Sequence, residues 1–166
     1  DRISRYAKKN KEIVNSTYLR NLKTKIFNNY LKKNQLKLRP GVKNLILFCK
    51  KEKIKLAFVS STSLNNINAI LHSLRNSINK EDFSFVGNSK LVKKFKPNPA
   101  IYLLALKKLK LKANDCLAIE DTQESLNSAK RAKIKCIIFP GKFHSSRKFS
   151  GALKKVYRLN KNIILR

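Results

Sequence analysis

The residues best suited to chemistry lie between Lys96 and Asp121: Lys96-Pro97-Asn98-Pro99, an apolar-periodic run, then Leu117-Ala118-Ile119-Glu120-Asp121. The chain carries only nine acidic residues, and two of them stand side by side where an apolar run stops. In an α/β sheet the carboxyl ends of the strands face the ligand crevice, so Glu120 and Asp121 would point into a site. Two hard oxygen ligands suit Mg²⁺, which takes one or two carboxylates and completes its shell with water and phosphate oxygens. Lys96, 24 residues before Glu120, could balance the charge of an anionic substrate. A plainer reading stands beside this one: the two acids merely open a helix, where carboxylates favour the N-terminal dipole.

Positioning such groups needs alternating strands and helices, and the apolar pattern supplies them. Residues 1 to about 33 read as two helices of a small helical piece, with a break near Asn15-Ser16. Ile3, Tyr6, Ala7, Ile13 and Val14 form a broken stripe; Tyr18, Leu19, Leu22, Ile26, Phe27, Tyr30 and Leu31 form a clearer one. Asn34 to Leu38 is a linker, and Arg39-Pro40-Gly41 a sharp punctuation before a helix with Val42, Leu45, Ile46 and Cys49 on its apolar face. Ile54 to Ser60 is a short buried strand ending in the hydroxyl run Ser60-Ser61-Thr62-Ser63. Thr62 or Ser63 would cap the next helix, whose stripe is Ile67, Ile70, Leu71 and Leu74.

Phe83 to Val86 is a second strand closed by Gly87, and Pro97 and Pro99 open a helix carrying Ile101, Tyr102, Leu104, Ala105, Leu106 and Leu109. Asp115 to Ile119 is a third strand and Ile134 to Phe139 a fourth, with Leu126, Ala129 and Ala132 marking a helix between them. A last amphipathic segment holds Leu153, Val156, Tyr157 and Leu159. This alternation implies βαβ units and a Rossmann-like parallel sheet of the α/β class. Right-handed crossovers would bring Ser60, Lys96, Glu120 and Asp121 to one edge.

Composition bounds the partners. A 166-residue chain with 42% hydrophobic content has room for one core of ordinary size plus a small appendage. No apolar run approaches the roughly 18 to 20 residues of a membrane span, and Asp1 to Lys11 has no apolar core of a signal peptide. Cys49, Cys116 and Cys136 are widely spaced in apolar surroundings, as free thiols of a reducing compartment are, so cytoplasm or a plastid stroma is expected. The formal charge of +30 invites a nucleic-acid reading. The basic residues are, however, spread evenly among Asn, Ile and Leu, as an AT-biased genome writes any exposed surface, so nucleic acid is not the expected partner. The charge would still steer anionic substrates inward. His72 and His144 read as surface or core fillers, and oligomeric state is not readable.

Three stretches together resemble a known family: Val59-Ser60-Ser61-Thr62-Ser63, Lys96-Pro97-Asn98-Pro99-Ala100-Ile101-Tyr102, and Ala118-Ile119-Glu120-Asp121-Thr122. They are similar, in order and spacing, to motifs two, three and four of the haloacid dehalogenase superfamily. More narrowly they resemble its CbbY-type sugar-phosphate phosphatases and their β-phosphoglucomutase relatives. Asp1-Arg2-Ile3 resembles a cap-domain segment, Leu38-Arg39-Pro40-Gly41-Val42 the hinge back into the core, and Phe149-Ser150-Gly151-Ala152 a closing segment of the CbbY type. The resemblance implies the end of a helical cap over residues 1–36 and a haloacid dehalogenase-type core, without its first strand, over 37–166.

It implies that Ser60 and Ser61 bind phosphoryl oxygens, that Lys96 neutralises charge between nucleophile and phosphate, and that Glu120 and Asp121 hold Mg²⁺. Phosphoryl transfer needs positioning and charge neutralisation above all, which agrees with that division. The implied reaction is hydrolysis of a sugar phosphate, such as xylulose 1,5-bisphosphate. A phosphosugar mutase of the same superfamily, or an inactive basic nucleic-acid-binding remnant, is the alternative. This chain departs from the pattern in lacking any Asp-x-Asp, the motif whose first Asp becomes the aspartyl phosphate. That segment is expected to precede Asp1, making the chain a fragment that is inactive alone. Ala100 stands where the family usually has an acid, Ser125 and Lys133 where it usually has Gly, and Lys148 where an acid is frequent.

Overall fold

The computed structural model describes residues 2–165, apart from the side chains of Arg2 and Arg5. Asp1, at the head of the cap-like segment, and Arg166 lie outside the described residues. The chain begins with two helices, α1 (Arg2–Lys9) and α2 (Ser16–Lys33). The break falls at Asn15, whose side chain accepts the Tyr18 N–H at 2.9 Å and so caps α2. Of the apolar stripe on α2 only Leu31 is buried; Tyr18, Ile26 and Tyr30 are more than half exposed.

After α2 the chain is extended, and the hydroxyl of Ser73 ties it to the next helical layer. Ser73 Oγ donates to the Asn34 carbonyl at 3.0 Å and accepts the Leu36 N–H at 2.9 Å. Helix α3 (Val42–Lys51) then starts at Gly41, which sits at φ +83°. A Cβ there would lie 1.9 Å from the Leu159 carbonyl oxygen, so both the backbone angle and the close approach require glycine.

The remaining elements are β1 (Ala57–Val59), α4 (Leu64–Ser73), β2 (Phe85–Gly87), α5 (Ala100–Leu109), β3 (Leu117–Glu120), α6 (Gln123–Arg131) and β4 (Lys135–Ile138). β1 pairs with β2 and β3 with β4, both parallel. Among the described residues no backbone ladder joins β1 to β3, so the expected α/β sheet is present as two parallel pairs. The segment after Gly151, read from sequence only as amphipathic, runs extended beside β4. Leu153 N–H donates to Cys136 at 2.8 Å, Ile138 N–H to Lys154 at 2.9 Å, and Val156 N–H to Ile138 at 2.8 Å.

Side chains alternate across these strands with period two. Ala118, Cys136 and Ile138 face α5 and α6, packing with Ile101, Tyr102, Leu126 and Ala129. Leu117, Ile119, Ile137 and Phe139 face the other way, against Leu45 and Cys49 of α3 and Leu159. Helix α4 covers β1 and β2 through Ile67 and Leu71, which meet Phe58 and Val86. The result is helices on both faces of parallel strands. Ile67, Ile101, Leu126, Ile137 and Ile138 are fully buried, each worth about 1.5–3 kcal/mol relative to exposure. Among the described residues no helix is long and apolar enough to cross a membrane. Cys49 and Cys136 are buried, Cys116 is half-buried, and all three thiols are free.

Candidate functional site

Parallel pairing puts the carboxyl ends of the strands on one side, and the chemistry-bearing residues follow them. Lys96 lies in the loop after β2, at a cis Lys96-Pro97 bond. That loop is pinned from behind by α6. The buried Ser128 hydroxyl donates to the Asn98 carbonyl at 2.7 Å, and Arg131 Nη1 donates to the Pro97 carbonyl at 3.2 Å. Asn98 Oδ1 accepts the Ala100 N–H at 3.0 Å, so the loop turns directly into α5.

So held, the Lys96 side chain reaches both strand pairs. Its Nζ donates to the Val59 carbonyl, the last residue of β1, at 3.1 Å. It also donates to Glu120 Oε1, at the end of β3, at 2.6 Å. The two side chains are 8% and 11% exposed, so this is a desolvated ion pair. A buried pair of this kind is weak evidence for stability, because desolvating both charges offsets most of their attraction.

Tyr102 of α5 completes the group. Its hydroxyl donates to the same Glu120 Oε1, and Lys96 Nζ lies 5.1 Å from its ring centroid. Burial, then the negative charge of Glu120, pushes the phenol pKa up from its ordinary value, which keeps it a proton donor. Both donors fall on Oε1, which leaves Oε2 as the Glu120 oxygen to meet a further partner. Cys136 sits behind Glu120 on β4. Burial, then the charge of Glu120, pushes its thiol up to about 12, against the opposing pull of Lys96, so it is no thiolate ligand at neutral pH.

Asp121 follows Glu120 and is exposed. On its side stands Arg39, whose Nη1 donates to the Phe139 carbonyl at 2.7 Å and Nη2 to the Pro140 carbonyl at 2.5 Å. The guanidinium carbon lies 3.5 Å from the Phe139 ring centroid. Desolvation lowers the Arg39 pKa from its ordinary value, while the negative charge of Asp121 pulls it back up. The Arg39 guanidinium thus lies within electrostatic reach of the acidic edge.

The hydroxyl run divides its labour. Ser63 caps α4 by accepting the Asn66 N–H at 3.3 Å, and Thr62 Oγ1 accepts from Asn66 Nδ2 at 2.9 Å. Ser60 Oγ accepts the Thr62 N–H at 3.2 Å, and Ser61 is exposed. Ser60 and Ser61 are thus the two hydroxyls not spent on the helix cap. Thr122, not Glu120 or Asp121, caps α6, by accepting the Ser125 N–H at 3.3 Å. That leaves the two acids just ahead of the helix, at the end of β3, and not in its first turn.

Lys96 and Glu120 are therefore brought together, with Ser60 next to the carbonyl that Lys96 binds and Asp121 next to Glu120. Two members of the constellation, Tyr102 and Arg39, were not singled out for the site from sequence. Tyr102 read as one position of an apolar stripe, although a buried tyrosine hydroxyl requires a partner, which is a usable signal. Arg39 read as hinge punctuation. His72 lies on the exposed side of α4, and His144 in a short turn after β4 has its ring near the Phe143 carbonyl, at 3.1 Å. Among the described residues no cluster of three or more His, Cys, Asp or Glu side chains forms a ready metal cage. A donor set of two carboxylates with no soft ligand fits Mg²⁺, which binds through few carboxylates, better than a thiophilic metal.

The sequence profile of the family described as haloacid dehalogenase-like hydrolase matches residues 2–139. Protein CbbY of Cereibacter sphaeroides is 34% identical over 130 residues, covering 78% of this chain and 56% of that protein. The phosphorylated carbohydrates phosphatase of Thermotoga maritima is 33% identical over 115 residues, covering 69% of this chain and 50% of that protein. Among solved structures, CbbY from Rhodobacter sphaeroides in complex with xylulose-(1,5)bisphosphate aligns with a TM-score of 0.78 at 31% identity. That alignment covers 84% of this chain and 62% of the solved one. The chain thus spans about half to three fifths of the length of these relatives.

Proposed function

We propose, from the premise that this chain belongs to the haloacid dehalogenase-like hydrolases, that it is the phosphate-handling part of a sugar-phosphate phosphatase. The observation that carries this reading is the desolvated Lys96 ammonium, held between the Val59 carbonyl and Glu120 at the carboxyl ends of two separate strands. A cation fixed there neutralises an incoming phosphoryl group without having to reorganise during the reaction. Ser60 and Ser61 donate to the phosphoryl oxygens. Glu120 and Asp121 would hold Mg²⁺, which supplies further charge neutralisation when bound. The nucleophilic Asp belongs to a segment before Asp1, and the four aspartates present, Asp1, Asp82, Asp115 and Asp121, do not replace it.

Residues 1–36 are the end of a cap and 37–166 the core that carries the chemistry. Similarity to a CbbY solved with xylulose-(1,5)bisphosphate supports a pentulose bisphosphate as substrate. The +30 charge suits such a polyanionic ligand by raising its encounter rate at low salt.

The test starts from the mass and N-terminal peptide of the native protein. A longer product with an Asp-x-Asp segment should release phosphate from xylulose 1,5-bisphosphate in Mg²⁺, and Lys96→Ala should abolish the release. A longer product that isomerises a phosphosugar without releasing phosphate would make it a mutase. A native product beginning at or near Asp1 would overturn catalysis by this mechanism.

A further inference from the structure

We propose that Tyr102 is a positioning residue that orients Glu120 so that a single oxygen, Oε2, is offered to a divalent cation. This inference rests on the reading of Glu120 and Asp121 as a Mg²⁺ site, and it assigns a role to a side chain that the reading does not use.

The argument starts from cost. Tyr102 is 6% exposed and sits among Ile101, Ala118, Leu126 and Cys136. A phenylalanine would fill the same space without a hydroxyl to desolvate, and a buried hydroxyl without a partner is unfavourable. The tyrosine finds its partner in Glu120 Oε1, already bonded to Lys96. One donor fixes an oxygen but leaves the carboxylate free to rotate about its terminal bond, a torsion with broad preferences. Two donors arriving from different elements, the Lys96 loop and α5, fix the plane of the group. With Oε1 carrying both bonds, a cation meets Oε2 alone. Groups behind a metal ligand set its orientation and basicity in this way.

The arrangement also makes Tyr102 a reporter. A cation drawing electrons from Oε2 weakens Oε1 as an acceptor, and the phenol that donates to it changes its near-ultraviolet absorbance. The chain has no Trp, and its other four tyrosines, Tyr6, Tyr18, Tyr30 and Tyr157, are all more than half exposed.

The full-length protein is titrated with MgCl₂ and followed in parallel by the tyrosine difference absorbance that Tyr102 contributes and by calorimetry. The expected result is a saturable tyrosine signal with the same midpoint as the heat. Tyr102→Phe, which keeps the ring, should remove the signal and weaken Mg²⁺ binding roughly 10-fold, the lower end for a group behind a ligand. Glu120→Gln should remove both signal and binding. Should Tyr102→Phe fail to fold, the wild-type signal still decides, because heat of Mg²⁺ binding without any tyrosine change overturns the proposal. So does a Tyr102→Phe chain with unchanged Mg²⁺ midpoint. No Mg²⁺ heat at all in the full-length wild-type protein overturns the metal reading of Glu120 and Asp121, and this inference with it.

Discussion

Replacing Lys96 by Met tests whether the ammonium between the two strand pairs is as isolated from water as its contacts imply. The substitution keeps the length of the side chain and removes its charge. Glu120 is then left with Tyr102 as the one remaining donor to Oε1, and the Val59 carbonyl loses its bond. Solvent can repair little of this, since the two side chains are 8% and 11% exposed. Removing one partner of a buried pair costs about 3–5 kcal/mol. The bond from Tyr102 is retained, so a loss of about 3 kcal/mol is expected, toward the lower end. For a chain of this size that is a fall of roughly 6–12 °C in Tm, taking about 2–4 °C per kcal/mol.

Urea and thermal unfolding followed by circular dichroism measure the effect. Lys96→Met/Glu120→Gln supplies the control, because it removes the stranded charge and keeps an amide oxygen to accept from Tyr102. The double variant should recover most of the loss, a coupling of roughly 2 kcal/mol between neighbours. Such recovery means that the pair is kept for chemistry and not for stability. A Lys96→Met chain within about 0.5 kcal/mol of wild type, the ordinary range of surface substitutions, would refute the reasoning, and so would strict additivity.

Three further outcomes follow from single features. Lys53, Lys110 and Lys133 each hold positive φ just past a helix, near +55° to +61°, where a glycine carries no Cβ penalty. Lys133→Gly should therefore stabilise by about 1 kcal/mol in urea unfolding, and an unchanged midpoint would contradict the strain. Arg39→Gln should lose roughly 1 kcal/mol and speed chymotryptic cleavage near Leu36 and Leu38, with Arg39→Lys no better, because two carbonyls and a ring need the planar fork. Cys136 is raised from 9.0 to about 12, so between those pH values the unfolded thiol loses a proton that the folded one keeps. Stability should then fall as pH rises through that window, by up to about 1.4 kcal/mol per pH unit, and Cys136→Ala should flatten the slope of the urea midpoint.

What the sequence discloses and what it hides divide by distance along the chain. The helix break at Asn15, the cap at Ser63 and the acids at the end of β3 are local, set by periodicity and by side chains bonding within three residues. The departure from glycine at Lys133 was also legible, and the backbone there is left-handed. By contrast, Tyr102 meets Glu120 across 18 residues and Arg39 meets Phe139 across 100, and no local pattern encodes either partner. The closing segment was ambiguous because Leu153, Val156, Tyr157 and Leu159 suit any half-buried path. It runs extended because β4 offers backbone groups on its second side. β1 is shorter than the apolar run Ile54 to Ser60 because β2 is its one ladder partner among the described residues.

The same alternation that organises the core separates the duties of the two acids. Ala118 faces α5 and α6, Ile119 faces α3, and Glu120 returns to the α5 side, where Lys96 and Tyr102 meet it. Asp121 comes next, within electrostatic reach of Arg39. The Glu120 carboxylate is therefore held by a helix and its preceding loop, whereas the Asp121 carboxylate is exposed. Side-by-side acids of opposite orientation are what a one-residue step along a strand end provides.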